Sequence, residues 1–445
     1  MLKIKAIGGY SEVGRNMTAI QYKDEVIICD MGVHLENFIN FKDDDDDDEK
    51  YFSAKDLIAA DAVPNDSVIN DIRNKVIAII PSHGHLDHIG AIPYLAQKYD
   101  SPIICTPYTA SVLKAIMKDK KIKMPNDIVI LENNNKTKLS DSITIEFVEM
   151  THSIPDTATV VVHTPEGQIV YALDFKLDDT PVIGNKPNYA RLKELGNNGN
   201  VKALIIDSLY SHMPGHTPSE SVARAMLKDV MLNTNSKGKA VIVTTFSSQI
   251  ARLKSIIEFG KQMNRKIVFL GRSLSKYVYA AEDIGLVNFS DTVEIVPYRK
   301  KINKKLKQID KIGRDKFLIV ATGHQGEPNS VMSRIAGNNL DFKLKQKDII
   351  IFSCNVIPSP INKLNRQALE RSLMQSNVQI FRDVHQSGHG RQEDHKKLIR
   401  LLKPKHVIPG HAGPERTIYL ARLAEKLGYD NKTVHVMEDS QTLEL

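Results

Sequence analysis

Four residues in the run PSHGHLDHIG could act together chemically: His83, His85, Asp87 and His88. Three imidazoles and a carboxylate within six positions is a donor density that a hydrophobic core has no use for. Neutral imidazole nitrogen combined with hard carboxylate oxygen suits zinc or a similar divalent ion in an open, catalytic site. The run KVIAIIPS before them reads as a buried strand, and LDHIGAIPYLAQKY after them as the start of a helix. Gly84 reads as the sharp turn at this junction, where consecutive side chains can converge on one point.

Later strand ends offer further donors. His152 follows the alternating run IEFVEM, Asp174 ends QIVYALD, and His411 follows the short apolar run VIPG. A lone histidine after a strand is more often an ordinary hydrogen-bonding residue. The shared placement of these three at strand exits, downstream of an HxHxDH run, favours ligation. Asp174 could bridge two cations through its two oxygens, as in two-metal hydrolases whose ions stand about 3.5–4 Å apart.

The HxHxDH run is similar to the signature of the metallo-β-lactamase superfamily, and Asp30 in VIICDMG matches the strand-end aspartate that precedes it there. The resemblance implies an α/β fold, a four-layer αββα sandwich holding two metal ions. His83, His85, His152 and Asp174 would hold one ion, and Asp87, His88, Asp174 and His411 the other. Asp30 would stand behind a ligand histidine and orient it. Zinc is the expected metal, with manganese as the alternative.

The 445 residues are too many for one ordinary core, and two domains is the natural expectation. No apolar stretch approaches the roughly 20 residues of a membrane span, and MLKIKAIGGY runs directly into a strand rather than a leader. Cys29, Cys105 and Cys354 are widely spaced and read as buried free thiols of a cytoplasmic protein. Asp43 to Glu49 are seven consecutive acids, which read as a loop because their mutual repulsion opposes packing. Setting those seven aside, the net charge of +7 becomes +14 on the rest of the chain. That balance fits a polyanionic partner, although a lysine-rich solvated surface would look similar.

Up to about residue 208 the chain reads mostly as short strands, with helices near 89–99 and 107–118. Around 240–380 strands and helices alternate strictly, as in AVIVTTF followed by SSQIARLKSIIEFGKQ, which argues for a parallel sheet wrapped by helices. His411 comes only after this stretch. The second domain, expected over 209–372, is therefore an insertion into the first, expected over 1–208 and 373–445.

An inserted α/β domain of this kind resembles the β-CASP nuclease branch of the superfamily. Asp207 in ALIIDSLYS, His389 in SGHG and His411 in PGHAGPE match its motifs. Within the branch, GGYSEVGRNM, ATGHQGEP and SCNVIP are similar to stretches of the ribonuclease J family, particularly its archaeal form, and the likeness covers essentially the whole chain. Bacterial members carry a further C-terminal domain after the catalytic core, and the likeness here runs to the end of the sequence, 34 residues past His411. The sequence shows no stretch resembling the N-terminal KH domains of the related archaeal cleavage-factor nucleases, so that relative is not the expected one.

The resemblance implies a 5′→3′ exoribonuclease that cuts single-stranded RNA through a two-metal-bound hydroxide, with Asp87, Asp207 and His389 catalytic. His389 is expected to contact the phosphate and assist the leaving oxygen. The loop at 322–328 follows a strand and precedes a helix, where backbone N–H groups can cradle an anion. Ser247, Ser248, Gly323, Gly326, Ser353 and Asn355, with Ser387 and Gly388, are expected to form a 5′-monophosphate pocket at that sheet end. A homodimer is expected. The competing readings are an RNA endonuclease, a DNA-directed nuclease, a small-molecule metallohydrolase and an inactive scaffold.

Overall fold

The computed structural model describes residues 1–41 and 52–445, so the acidic run Asp43 to Glu49 lies outside the described residues. The chain divides into two compact units, one made of Met1–Thr217 with Gly388–Leu445, the other of Pro218–Ser387. The inserted unit therefore starts and ends later than 209 and 372. Residues 209–217 stay with the first unit because the backbone N–H groups of Gln392 and Glu393 bond the carbonyls of Met213 and Gly215. Strand Gln379–Phe381 belongs to the insert because it pairs in parallel with Ile349–Phe352.

The first unit contains two sheets. One has seven strands among the described residues, in the order Thr442–Glu444, Leu2–Gly8, Met17–Tyr22, Glu25–Cys29, Val76–Ile80, Ile103–Cys105 and Ile128–Ile130. The other has six: His406–Gly410, Val201–Asp207, Gly167–Ala172, Ala158–Thr164, Thr144–Glu149 and Lys136–Lys138. Alternation decides which face goes where. Ile169 and Tyr171 join Ile4, Ile27, Ala78 and Phe147 in a core shared by both sheets, while Val170 and Ala172 pack outward under Leu195, Leu398 and Leu420 from helices. This is the αββα arrangement expected from the sequence.

Strand direction then positions the chemistry. Thr144–Glu149 is antiparallel to Ala158–Thr164, which is antiparallel to Gly167–Ala172, so the first and third of these run the same way. Val201–Asp207 and His406–Gly410 add in parallel. All four strands therefore deliver their C-terminal ends, with His152, Asp174, Asp207 and His411 following or ending them, to one edge of the sheet. Glu25–Cys29 and Val76–Ile80 are likewise parallel, so Asp30 and His83 leave the other sheet together.

The inserted unit is a six-stranded parallel sheet in the order Val293–Val296, Lys266–Leu270, Phe317–Ala321, Val241–Thr244, Ile349–Phe352 and Gln379–Phe381. Its central strands are buried on both faces, as a parallel sheet requires, and read as continuous Val/Ile/Leu/Phe runs for that reason. The three cysteines are buried and unpaired with one another. No helix among the described residues is long and apolar enough to cross a membrane.

The helix expected over 89–99 is broken into Leu86–Ile89, Ile92–Leu95 and a short 3-10 turn, Ala96–Lys98. Gly90 and Pro93 interrupt it, and each piece is too short to be stable without tertiary packing.

Candidate metal centre

Val76–Ile80 ends at Pro81, and His83, His85, Asp87 and His88 follow, with His85 just ahead of the short helix Leu86–Ile89 and its side chain making no capping bond to it. Gly84 does not use a left-handed backbone here. A Cβ there would sit 3.3 Å from Ile154 Cδ1 and 3.5 Å from Val112 Cγ2, a close fit against side chains. The left-handed positions belong instead to Asp30 (φ 59°) and His411 (φ 55°), uncommon conformations for non-glycine residues and a mark of functional loops. Gly32 is needed for close approach, since a Cβ there would lie 1.6 Å from the Asp87 carbonyl oxygen.

Two groups of donor atoms result. His83, His85, His152 and Asp174 each bring one ligand atom within 4.8 Å of the others, and so do Asp87, His88, Asp174 and His411. In the first group the separations are 3.1 Å from His83 Nε2 to His85 Nδ1 and 3.2 Å from His152 Nε2 to His85 Nδ1. Asp174 Oδ2 is 3.3 Å from His152 Nε2 and 3.5 Å from His83 Nε2. A tetrahedron of donors about 2.0–2.1 Å from a central ion has edges of about 3.3 Å, so these atoms fit such an ion. In the second group Asp174 Oδ1 is 3.2 Å from His88 Nε2 and 3.4 Å from His411 Nε2, and Asp87 Oδ2 is 3.7 and 3.9 Å from the same nitrogens. Asp174 thus gives one oxygen to each group, and its Oδ1 is buried with no hydrogen-bond partner. A buried carboxylate oxygen without a donor calls for a cation.

Which nitrogen each ring presents is set from behind. Asp30 Oδ2 accepts from His88 Nδ1 at 2.6 Å and from the Tyr171 hydroxyl at 2.8 Å, while Asp30 Oδ1 accepts the Ser82 N–H at 2.7 Å. His152 Nδ1 donates to the Gly388 carbonyl at 2.7 Å, and His411 Nδ1 to Asn16 Oδ1 at 3.0 Å. Nε2 of all three rings is thereby turned to the centre, a support that ligand histidines generally have. Sequence reasoning anticipated Asp30 but missed Tyr171 and Asn16. Tyr171 shows only as one more apolar position of its strand. Asn16 lies within GGYSEVGRNM, and nothing in that run marks it as polar support.

Burial pushes the His85 imidazole down to about 3 and lowers His83 and His152 as well, leaving their lone pairs available. Burial alone would raise the Asp174 carboxyl, but His411, His88 and His389 outweigh it and hold the group well below the usual carboxylate range. Burial also opposes charge on His88, yet Asp174, Asp30 and Asp87 hold it well above its ordinary value. The second group is therefore a place that favours positive charge.

His389 lies outside both groups. Its Nδ1 is 3.0 Å from Asp207 Oδ2, and its Nε2 is 3.9 Å from Asp174 Oδ2. Asp207 is fully buried and belongs to neither group; it acts as the orienting partner of His389. Burial would lower His389, but Asp207 and Asp174 carry it up to about 9. An imidazolium at neutral pH is a proton donor.

The residues expected to bind a 5′ phosphate are arranged differently. Ser247 Oγ pairs with Ser273 Oγ at 2.9 Å, Ser248 is buried, and the Asn355 carbonyl accepts from Gln325 Nε2 at 2.9 Å. Ser353, expected among the donors, is fully buried: its hydroxyl donates to the Val384 carbonyl at 2.7 Å and lies 2.9 Å from Arg252 Nη1. Gly323 (φ 107°) and Gly326 (φ 78°) shape the loop, where the Gln325 N–H is engaged by the Glu327 carboxylate at 3.0 Å. Ser387 is half-buried at the end of the insert, and Gly388 belongs to the first unit, where its carbonyl serves His152.

Residues 60–221 match the beta-lactamase superfamily domain, residues 238–370 the beta-CASP domain of ribonuclease J, and residues 377–437 the Zn-dependent metallo-hydrolase RNA specificity domain. Among curated proteins, ribonuclease J of Methanocaldococcus jannaschii is 43% identical over 444 residues, covering 99% of this chain and 98% of its own. Ribonuclease J of Pyrococcus abyssi is 40% identical over 448 residues, covering 100% of this chain and 97% of its own. A crystal structure of a protein of unknown function from Enterococcus faecalis V583 superposes with a TM-score of 0.65 at 17% identity over 100% of both chains, a likeness of fold alone. Two ribonuclease J relatives are at least 40% identical along nearly their whole length, and the chain therefore belongs to the ribonuclease J family.

Proposed function

We propose that this chain is a metal-dependent ribonuclease that shortens single-stranded RNA from a 5′-monophosphate end in the 5′→3′ direction. The observation that carries this reading is Asp174, whose two oxygens face two separate donor groups while His389 and Asp207 stand beside them. The names of the relatives supply RNA as the substrate class. Two divalent ions, zinc by the tetrahedral spacing of the first group, would be held by His83, His85, His152 and Asp174, and by Asp87, His88, Asp174 and His411. When bound, such ions neutralise charge on a phosphodiester and acidify water for attack on phosphorus.

The protein's own groups do the rest. Asp30, Asn16 and the Gly388 carbonyl hold the ligand rings in one tautomer. His389 keeps a proton at Nε2 through its bond to Asp207 and delivers it to the oxygen that leaves as the phosphodiester breaks. The 5′ phosphate is assigned to the C-terminal edge of the inserted sheet, where Ser247, Asn355 and Ser387 are only half-buried and Gly323 and Gly326 shape the adjoining loop. Polarity and end preference are tested together with RNAs labelled at either end and bearing a 5′ monophosphate, triphosphate or hydroxyl. Mononucleotide release from the 5′ end, fastest from the monophosphate, is expected. Internal cuts, or equal rates from all three ends, would overturn the exonuclease assignment.

A further inference from the structure

Helix Arg299–Ile312, RKKINKKLKQIDKI, buries Ile302, Leu306 and Ile309 in the core of the inserted unit. Lys305, also buried, is paired with Glu294. The remaining cations, Arg299, Lys300, Lys301, Lys304, Lys307 and Lys311, are all exposed. Among the described residues only Lys307 of these comes within 4.0 Å of an acid, with Asp341 at 3.9 Å. The helix's one acid, Asp310, is engaged by Arg314.

Folding gains nothing from this distribution. Lys300 and Lys304 stand at i,i+4, as do Lys307 and Lys311, and Lys304 and Lys307 stand at i,i+3, so like charges repel along one stripe. Arg299, Lys300 and Lys301 crowd a first turn that has no acid, the end where the helix dipole favours anions. Solubility alone would be served as well by mixed charge. The stripe from Lys300 to Lys311 is about 16 Å long at 1.5 Å per residue, enough to follow several phosphates of one strand. Tyr298, 57% exposed at the head of the helix with Lys301 Nζ 5.9 Å from its ring centroid, adds a face on which a base can stack.

We propose that this face is a docking track for single-stranded RNA, built from residues separate from the metal-ligand groups and the 5′-phosphate residues. The inference rests on the ribonuclease reading and concerns how the substrate is held. The test replaces Lys300, Lys304, Lys307 and Lys311 by Gln in the full-length chain and follows RNA binding by fluorescence anisotropy across a salt series. For a strand of about 30 nucleotides, the slope of log K against log[salt] should become shallower by about 2–3, at about 0.7 for each phosphate no longer neutralised. A strand of about four nucleotides should change far less, and the four Lys→Arg changes should restore the wild-type slope. Because repulsion is removed, the melting temperature of the Gln variant should equal or exceed that of the wild type, which separates the result from misfolding.

An unchanged slope in the Gln variant, with wild-type RNA hydrolysis intact, would overturn the track and leave the ribonuclease reading standing. Wild-type protein that neither binds nor hydrolyses RNA would overturn both. Displacement of RNA by poly-glutamate as effectively as by unlabelled RNA would assign the face to acidic protein and overturn the RNA assignment.

Discussion

The two sheet ends where the sequence placed chemistry differ in what their buried polar atoms do. Around Asp174, nitrogens and oxygens face one another across 3.1 to 3.9 Å, and Asp174 Oδ1 meets only ring nitrogens without a well-formed hydrogen bond. At the end of the inserted sheet the polar atoms around Ser353 bond one another, although His324 Nε2 is buried without a hydrogen-bond partner. Arg252, fully buried, bonds both Glu220 oxygens at 2.6 and 2.8 Å and the Ser353 carbonyl at 2.8 Å. Folding alone would avoid the first arrangement, because desolvated donors and acceptors without partners cost free energy. The second is architecture. At Asp174 the unmet demand coincides with converging ligand atoms, whereas the Ser353 hydroxyl is engaged by Val384 and Arg252.

That contrast can be broken most severely at Asp174. Asp174→Ala should abolish hydrolysis and lower metal content in both donor groups, while circular dichroism shows a retained fold; full metal occupancy in that variant would sink the bridging role. His389→Ala should lower the rate by roughly 10²–10⁴ with metal content unchanged. Asp207→Asn should follow it in direction, because Asp207 meets no donor group except through His389. Metal loss in either variant would move His389 into the ligand set.

On the architectural side, Arg252→Met removes the buried guanidinium that bonds both Glu220 oxygens and the Ser353 carbonyl, and should cost about 3–5 kcal/mol in denaturant unfolding. Metal content should not change, and a loss of metal would contradict the division between the two regions. Asp30→Ala should reduce metal affinity by about 10–100-fold, read by competition with a chelating dye, since His88 then loses the bond that sets its tautomer. The smallest effect is expected at Gly326, where a Cβ would lie 2.3 Å from the Asn365 carbonyl oxygen at φ 78°. Gly326→Ala should destabilise by about 1–2 kcal/mol and weaken the preference for a 5′ monophosphate, with metal binding intact.

Much of the fold was legible because its signals are local. Strict alternation of apolar strand and amphipathic helix over 240–380 specifies a parallel sheet whatever surrounds it, and Val241–Thr244, Phe317–Ala321 and Ile349–Phe352 form where those runs lie. The limits of the insert were less legible. Residues 209–217 and 379–381 carry no pattern of their own, and their allegiance is set by partners such as Gln392 and the strand at 349–352.

The sequence by itself brought out the candidate donors, because three histidines and an aspartate within six positions are dense in ligand atoms. It also determined that His152, Asp174 and His411 leave strand ends. Only the tertiary structure decided which nitrogen each ring presents, because Asn16 reaches His411 across 395 positions and Gly388 reaches His152 across 236. It decided as well that Asp207 serves His389 and that Ser353 is consumed inside the insert. A hydrogen bond depends on two atoms meeting within about 3 Å at a suitable angle, and no periodicity along the chain encodes that meeting.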